Sequence, residues 1–551
     1  MLPSSDKSQL PFLHRHHLLL KTHYFLFFSS FGIIFPILNL TLRSHGLSNT
    51  EISFSNFILP FLVFFTSPLI GVIADKSRRF ILTFNLLLLL VILTMTTLFF
   101  LPRIRSHHIQ ANLHPGPSSS YLLDFCASQE VVSKCSSRSE CGCTYQAHCV
   151  AQNQTLNFSF TMNSYTTERH LYENEYVLCD INYQVSVENL SIGKYDFPLK
   201  CQITCSIPHF CHGLRYDRQM VYVLLYAIFY TLGANFLSIG NVLTASIGFA
   251  SLPRADLFGK QRVWGTIGFG IAAFSASRFY EYFHSEYVYI IMFVICALLT
   301  ILITCFIPIR TVEKATEKKQ AKFGLSALIP LLKKVDVWIF LSITFVWGMN
   351  FGCLQPYLGL YIDEITPCHS RSIIGWMLLI AASSEVIAFY VARRVIQFLG
   401  SNLSSIVIFL AFAIRFGGYY FLPQPFLYLP IETLHFFNYG ILYVLISEKA
   451  DAIAPAGLSG TLQGIAHGIT HGLGRGVGLL VSSFIYIVIH QRLLFLVFAT
   501  INLLAVIIYS IYFCFTRQTA NENLSVEANA NIIMLEADSG PLPSSSMLNN
   551  N

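Results

Sequence analysis

Long apolar runs separated by short polar segments fill most of residues 17–101 and 219–515. About 20 apolar residues in a row are enough to cross a bilayer as a helix. The runs predict membrane helices near residues 17–42, 53–74, 80–101, 219–248, 263–278, 285–308, 336–361, 373–392, 402–421, 425–446, 459–487 and 491–515. The pattern therefore predicts an all-α polytopic membrane protein with twelve transmembrane helices.

Composition and charge agree with this interpretation. Of the 551 residues 54% are hydrophobic and only 12% are charged, and the net charge is +6. A cluster of lysines and an arginine lies in 309–335, which the positive-inside rule places in the cytoplasm together with the N-terminus. The positive charge thus reports membrane topology, and nucleic acid is not an expected partner.

Six helices, a basic loop and six more helices predict two six-helix bundles. The predicted segments are a cytoplasmic N-terminus at 1–16, helices 1–3 at 17–102, an outer insert at 103–218, helices 4–6 at 219–308, a basic cytoplasmic linker at 309–335, helices 7–12 at 336–515 and a disordered cytoplasmic tail at 516–551. The insert is too long for a simple connection, so a folded domain is expected.

The insert carries the signs of an oxidising compartment. Clustered cysteines together with glycosylation sequons predict a disulfide-rich glycoprotein domain on the extracellular or lumenal side, with a zinc site as the alternative. The insert holds nine cysteines, an odd number, which Cys368 of the outer loop between helices 7 and 8 would make even. The disulfide candidates are Cys126, Cys135, Cys141, Cys143, Cys149, Cys179, Cys201, Cys205, Cys211 and Cys368, and the sequon asparagines are Asn153, Asn157 and Asn189.

Helix 11 combines ionisable residues with small ones. His467, His471 and Arg475 recur every four residues, which places them on one helix face. A second series with the same spacing predicts close helix packing. Its members are Gly464, Gly468, Gly472 and Gly476. Ionisable groups at bilayer depth usually face a protein interior or a water-filled path, so this helix indicates a transport route.

A cytoplasmic turn after helix 2 supplies a gate motif. In Gly71-Val-Ile-Ala-Asp75-Lys-Ser-Arg78-Arg79 an acid stands beside several bases. This resembles the G-x-x-x-D-R-x-G-R-R loop of the major facilitator superfamily, with Gly71, Asp75 and Arg79 in register. Arg78 occupies the position of the second glycine and Phe80 that of the last arginine.

A closer resemblance is to the major facilitator superfamily domain-containing protein 6 family. It rests on LQG and HGLGRG within LQGIAHGITHGLGRG, on Ser384-Glu385 and on Pro430-Ile-Glu432, and it spans most of the membrane region. The resemblance implies a permease related to the lactose and oligosaccharide proton symporters. Those symporters also place a carboxylate in helix 8, an arginine in helix 9 and a His/Glu pair in helix 10, which here runs Glu then His.

The C-terminal half holds most of the intramembrane charge. Glu385, Arg415, Glu432 and His435 join the helix 11 residues. We expect an ion pair between Arg475 and Glu432 or Glu385, and fixed ion pairs that lock helices together are an equal alternative for the arginines. Histidine titrates near neutral pH, so Glu385, Glu432 and His435 are the candidates for proton coupling.

Solute contacts and metal binding are less strongly indicated. Aromatic and amide side chains suit a neutral polyhydroxylated or aromatic solute. The candidates for the solute pathway are Trp347, Asn350, Gln355, Tyr357, Asn235 and Asn241. His467 and His471 could alternatively hold a metal, but no cluster of carboxylates or thiolates accompanies them, so neither a metal nor a cofactor is predicted.

The sequence as a whole favours a secondary active transporter of a small organic solute, coupled to protons and working by alternating access. The competing hypothesis is a receptor on a transporter scaffold, which would bind a protein ligand through the cysteine-rich insert. An integral-membrane enzyme ranks third, because no catalytic set is recognisable. The expected partners are the lipid bilayer, the solute and protons, and the expected location is the plasma membrane or an endolysosomal membrane.

Overall fold

The structure of the chain is a computed structural model. It describes residues 15–77, 80–102, 104, 109–115, 121–128, 144–151, 154–160, 168–172, 175–185, 199–205, 219–252, 258–308, 333–366, 368–453 and 459–538.

Long helices account for most of these residues. They are α1 Leu18–Ser44, α2 Asn49–Ser77, α3 Phe80–Phe100, α4 Met220–Ser251, α5 Phe258–Phe283, α6 Tyr287–Cys305, α7 Val335–Ile365, α8 Ser370–Leu399, α9 Ser401–Phe421, α10 Pro425–Ala450, α11 Ile465–Ile489 and α12 Leu493–Asp538. Each follows from a continuous run of apolar residues that buries its own backbone hydrogen bonds.

Ten of these helices are long and apolar enough to cross a membrane, by length and composition, within the described part of the chain. The two outside this set are α2 and α5. Helix α5 carries Lys260, Arg262, Arg278 and Glu281, which lower its hydropathy. The prediction of a helical multi-pass membrane protein is confirmed. Ten of the twelve predicted spans correspond to described helices that are long and apolar enough to cross a membrane.

The outer insert folds as a β-sheet, which corrects the all-α fold class outside the membrane region. Its strands are β1 Ile109–Pro115, β2 Tyr121–Ser128, β3 Tyr145–Ala151, β4 Gln154–Phe160, β5 Glu168–Tyr172, β6 Glu175–Val185 and β7 Leu199–Cys205. The seven strands lie in the order β4-β3-β7-β1-β2-β6-β5, and all of the neighbouring strands are antiparallel. Buried Leu113, Leu123, Tyr145 and Ile203 alternate with exposed residues, as a half-buried strand requires.

One disulfide of the sheet is described. Cys149 of β3 and Cys201 of β7 lie directly opposite each other and are bonded, and Cys368 is also in a disulfide. Asn157 is exposed on β4. The side chains of Cys126, Cys179 and Cys205 are not described, although their backbone lies in strands. Outside the described residues are Cys135, Cys141, Cys143, Cys211, Asn153 and Asn189.

The last helix is longer than the sequence predicts. Helix α12 continues to Asp538, whereas a disordered tail is expected from residue 516. Alanine, glutamate and leucine recur in this extension and favour a helix. The tail prediction is therefore wrong for 516–538.

Glycines bring α7 and α11 together, but not the predicted ones. A Cβ at Gly478 would lie 2.3 Å from the carbonyl oxygen of Met349, and one at Gly474 would lie 2.5 Å from that of Phe345. At Gly468 it would meet no described residue within 4 Å. The close backbone contact thus lies two residues away from the predicted series, on a different face of α11.

The other members of the predicted series differ among themselves. At Gly472 a Cβ would lie 2.8 Å from the Phe64 ring of α2, while at Gly476 it would only touch Pro60 at 3.9 Å. Nothing is described of the surroundings of Gly464. The packing prediction is wrong for Gly468, and Gly472 is the member that faces the other half of the molecule closely.

Candidate functional site: a central polar cluster beneath a closed outer end

The outer end of the bundle is closed by ion pairs between the two halves. Arg43 of α1 contacts Asp363 of α7 at 3.3 Å and also pairs with Glu364. Glu286, which immediately precedes α6, pairs with Arg371 at the start of α8. None of these five residues was predicted from the sequence. The available signal was an arginine or a carboxylate at the end of an apolar span, which does not identify its partner.

A hydrogen-bonded layer lies below these ion pairs. The hydroxyl of Tyr357 on α7 lies 3.0 Å from Ser53 of α2 and 2.6 Å from Ser483 of α11. The Asn39 amide of α1 donates to the Pro356 carbonyl at 3.1 Å. Tyr357, predicted to line the solute pathway, therefore joins the two halves at the closed outer end.

Helices α5 and α8 form a seam between the halves that reaches down to Glu385. Phe274 and Trp376 have ring centroids 4.5 Å apart in its outer part. Deeper in the seam, the Thr266 hydroxyl donates to Glu385 Oε1 at 2.9 Å. A carboxylate of the C-terminal half is thus held by a side chain of the N-terminal half.

Glu385 is the first member of a chain of polar contacts. His435 Nε2 lies 3.5 Å from Glu385 Oε2, and Arg415 donates to His435 Nδ1 at 3.2 Å. The Glu385 and His435 side chains retain 11% and 23% exposure, so both are partly accessible. The structure brings together three of the residues that the sequence analysis selected for ion pairing and proton coupling.

Glu432 is held more rigidly than Glu385. Arg415 Nη2 donates to Glu432 Oε2 at 2.6 Å, and the Tyr419 hydroxyl also donates to this carboxylate. The two charged side chains are 7% and 3% exposed. The expected pair of Glu432 with Arg475 is therefore wrong, because Arg415 occupies the carboxylate.

Both central helices change their winding at the depth of the cluster. Segments Phe436–Ile441 of α10 and Ile469–Gly474 of α11 are π-helical. Such single π turns are rare and frequently occur at functional sites. The π turn of α11 lies between His467 and Arg475, and that of α10 follows His435 directly.

Aromatic rings connect these two π turns. Tyr439 stacks on His435 with a centroid distance of 5.4 Å and meets Trp347 at 6.0 Å. Trp347 in turn lies 6.1 Å from His471, whose ring stacks on His467 at 5.9 Å. The rings form a continuous wall from the Glu385–His435 contact to the histidines of α11.

Arg475 lies at the end of this wall and forms no ion pair with any residue that the structure describes. Its guanidinium is 5.5 Å from the ring centroid of Phe351, which is also 5.9 Å from the His471 ring. His471 and Arg475 thus share a neighbour, as their predicted common face requires.

The remaining predicted pathway residues lie apart from the cluster. The amides of Asn350 and Asn502 donate to each other at 2.8 Å between α7 and α12. Asn235 accepts from Thr66 at 2.9 Å, Asn241 is exposed, and Gln355 Oε1 is buried without a hydrogen-bond partner. Asn350 and Asn235 therefore join helices, whereas no such contact is described for Asn241 or Gln355.

Two further predictions concern the cytoplasmic gate and metal binding. Gly71 and Asp75 lie in α2, but their side-chain surroundings are not described, and Arg78 and Arg79 lie outside the described residues. No group of three or more His, Cys, Asp or Glu suited to a metal occurs in the part of the chain that the structure describes. The gate motif stays a prediction.

Two helical halves around a central polar cluster define a class of multi-pass membrane transporters. The chain belongs to the MFS_1 like family, whose model matches residues 17–497.

Solved structures share the fold. The nucleoside transporter NupG matches with a TM-score of 0.57 and 14% identity over 91% of this chain and 99% of its own. A D-xylose-proton symporter matches with a TM-score of 0.53 and 11% identity over 90% of this chain and 96% of its own. This protein is thus an integral membrane protein with the fold of the major facilitator transporters, and the narrower family suggested by its motifs stays a proposal.

Proposed function

We propose that this protein is a secondary active transporter that moves a small organic solute by alternating access and couples its movement to protons. In this proposal α1 to α6 and α7 to α12 are the two moving bundles, and α2 and α5 cross the membrane with the others. The observation that carries the proposal is the contact of Glu385 and His435 beneath a closed outer end. A nucleoside transporter and a D-xylose-proton symporter with the same fold support it.

The closed outer end supports the alternating-access part of the proposal. Arg43 and Arg371 attach one half to the other through carboxylates, and Tyr357 bonds to both halves below them. Contacts of this kind must break when the outer side opens. The described structure thus corresponds to the state whose outer entrance is shut.

Proton coupling is assigned to Glu385 and His435 rather than to Glu432. The Glu385 and His435 side chains are partly exposed and contact each other, and Thr266 links Glu385 to the opposite half through a hydrogen bond. A change in the charge of Glu385 would therefore alter a bond between the moving halves. Glu432, enclosed by Arg415 and Tyr419, serves as a fixed ion pair.

A solute-library uptake screen in proteoliposomes with an imposed pH gradient tests the function. We expect at least one solute to accumulate inside, and an ionophore that dissipates the gradient should abolish the accumulation. Empty liposomes and the Glu385→Gln variant are the controls. Uptake that does not depend on the pH gradient would reject proton coupling and would show that the protein is a facilitator.

The alternative function is a receptor that binds a protein ligand through the outer sheet. The observation that favours it is a folded seven-stranded domain with two sheet edges at β4 and β5. If no solute moves in either direction, while the insert alone accounts for capture of an extracellular protein, the receptor function replaces the transporter.

A further inference from the structure

Four arginines are buried in the described part of the chain, and three of them share one arrangement. Arg43, Arg371 and Arg415 are 5%, 8% and 6% exposed, and each pairs with at least one carboxylate. The fourth is Arg475, which is equally buried at 9% exposure and has no carboxylate partner among the described residues. Arg475 is therefore the exception among chemically identical side chains in the same molecule.

The surroundings of Arg475 do not compensate its charge. Its Nε is buried without a hydrogen-bond acceptor among the described residues, and the Phe351 ring centroid lies 5.5 Å from its guanidinium. An aromatic face attracts a cation only weakly, by about 0.5–2 kcal/mol. An unpaired charge at bilayer depth is far more expensive than that. Among the described residues, no carboxylate supplies the missing partner, which leaves the position open to an anionic ligand.

The polar face of α11 becomes more buried toward Arg475. Along α11 the side chains pass from exposed His467 through half-buried His471 to buried Arg475. Beyond Arg475, the outer end is closed by Tyr357 and the ion pairs of Arg43 and Arg371. Arg475 thus lies at the buried end of this polar face, below the contacts that join the two halves.

The wall beside this polar face is aromatic. Trp347 and Phe351 of α7 meet His471 edge-on at 6.1 and 5.9 Å. Gly348 and Gly352 place α7 directly against α11, where a Cβ at Gly352 would lie 2.5 Å from the Arg475 carbonyl. The backbone packing therefore fixes the rings relative to the guanidinium. A fixed aromatic wall with one charged end suits a flat ligand with a single anionic group.

We propose that Arg475 is the anchor for the anionic group of a small organic solute, and that Trp347, Phe351 and His471 bind its planar or apolar part. A carboxylate or a phosphate fits, because the guanidinium fork donates to both in a bidentate manner. This inference rests on the proposed transport function and narrows its substrate class. It differs from the sequence-based expectation of a neutral solute, which stays a prediction.

Equilibrium binding to the full-length protein in nanodiscs tests the inference without any flux. The probes are benzoate and phenyl phosphate, each compared with a neutral analogue, benzamide for benzoate and benzyl alcohol for phenyl phosphate. We expect the anions to bind at least about tenfold more tightly than the neutral analogues, the range of a charge-assisted hydrogen bond. Neutral analogues that bind as tightly as the anions would overturn the inference.

Variants of two arginines assign the effect to the site. Arg475→Gln should remove the preference for the anions, a loss of about tenfold to a hundredfold. Arg393→Gln is the matched control, because the Arg393 side chain is 84% exposed, and it should keep the preference. A preference that persists in Arg475→Gln would place the anion elsewhere and reject the inference.

Folding and competing anions are controlled separately. Without ligand, Arg475→Gln should melt close to the parent, because it removes an unpaired charge; melting as low as Arg415→Gln would show a structural role instead. Arg475→Lys keeps the charge without the fork and should retain a weakened preference. Neither chloride at equal ionic strength nor anionic lipid in the nanodiscs should displace benzoate or phenyl phosphate from the protein. If either does, the organic-anion site is rejected.

The binding experiment and the uptake experiment can fail independently of each other. Selective anion binding without uptake would retain the Arg475 site and reject the transport cycle. Proton-driven uptake of neutral solutes with no anion preference would retain the transporter and reject the Arg475 anchor.

Discussion

The outer end and the centre of the bundle bury the same type of side chain for different purposes. At the outer end Arg43 and Arg371 are neutralised by carboxylates from the opposite half. In the centre Arg475 faces an aromatic ring and has no such partner among the described residues. Paired charges hold two surfaces together, whereas an unpaired one leaves a position for a ligand. The neighbours of an arginine, and not its burial, thus distinguish a gate from a site.

Arg415 offers the sharpest test of this comparison, because it lies in the same half as Arg475 and is equally buried. Arg415→Gln leaves the Glu432 carboxylate buried without its partner, so we expect a loss of stability of about 3–5 kcal/mol. Arg475→Gln should be nearly neutral. Thermal or denaturant unfolding in detergent measures both.

A double variant supplies the control for that experiment. Arg415→Met combined with Glu432→Leu removes both charges and should recover most of the lost stability. If Arg475→Gln is as damaging as Arg415→Gln, the distinction between paired and unpaired arginines fails.

The backbone contact behind the aromatic wall gives the next largest effect. Gly478→Leu forces a side chain into the Met349 carbonyl and should destabilise the protein by about 1–3 kcal/mol or more. Gly468→Leu is the matched control, because a Cβ there meets no described residue within 4 Å. Equal melting temperatures of the two variants would contradict the described packing of α7 on α11.

A Glu385 variant tests whether the central cluster also couples proton movement to solute movement. Glu385→Gln nearly preserves shape but removes the titratable group, so exchange of solute at equal pH should persist. A gradient of one pH unit stores about 1.4 kcal/mol per proton and supports about tenfold accumulation. We expect this accumulation to fall to unity in the variant. A variant that concentrates solute like the parent removes Glu385 from coupling.

The outer ion pairs should give the smallest effect. In the open state both charges regain water, so the desolvation that closing requires offsets most of the attraction within each pair, and we expect a net contribution to closure of about 1 kcal/mol, or roughly fivefold. Arg43→Gln should therefore raise outside labelling by an impermeant maleimide about fivefold in a Ser53→Cys background, because Ser53 is buried against Tyr357 of the opposite half. Mass spectrometry of the labelled peptides measures it.

Two controls accompany the labelling. Arg393→Gln, which alters an exposed arginine, should leave labelling of the Ser53→Cys protein unchanged, and Cys514 near the inner end of α12 should not respond to the outside reagent. Labelling at position 53 that Arg43→Gln leaves unchanged would show that the ion pairs do not keep the outer end closed.

Much of the fold follows from local sequence. Ten predicted spans appear as apolar helices, because a run of about 20 apolar residues is a property of neighbouring positions. The cysteines and sequons likewise predicted a folded outer domain, although not its sheet. The packing of α11 shows the limit of such reasoning. A regular helix was assumed, whereas a π turn at Ile469–Gly474 separates the two parts of the helix.

The candidate site depended on tertiary structure. The sequence alone selected Glu385, Arg415, Glu432, His435 and Arg475, since ionisable residues within apolar runs are conspicuous. It assigned Glu432 to the wrong arginine, and it missed Arg43 and its partner Asp363, which are 320 positions apart. Spacing along one helix defines a face but carries no information about which distant side chain meets that face. Only the packed bundle decided which arginines are neutralised and which one is left for a ligand.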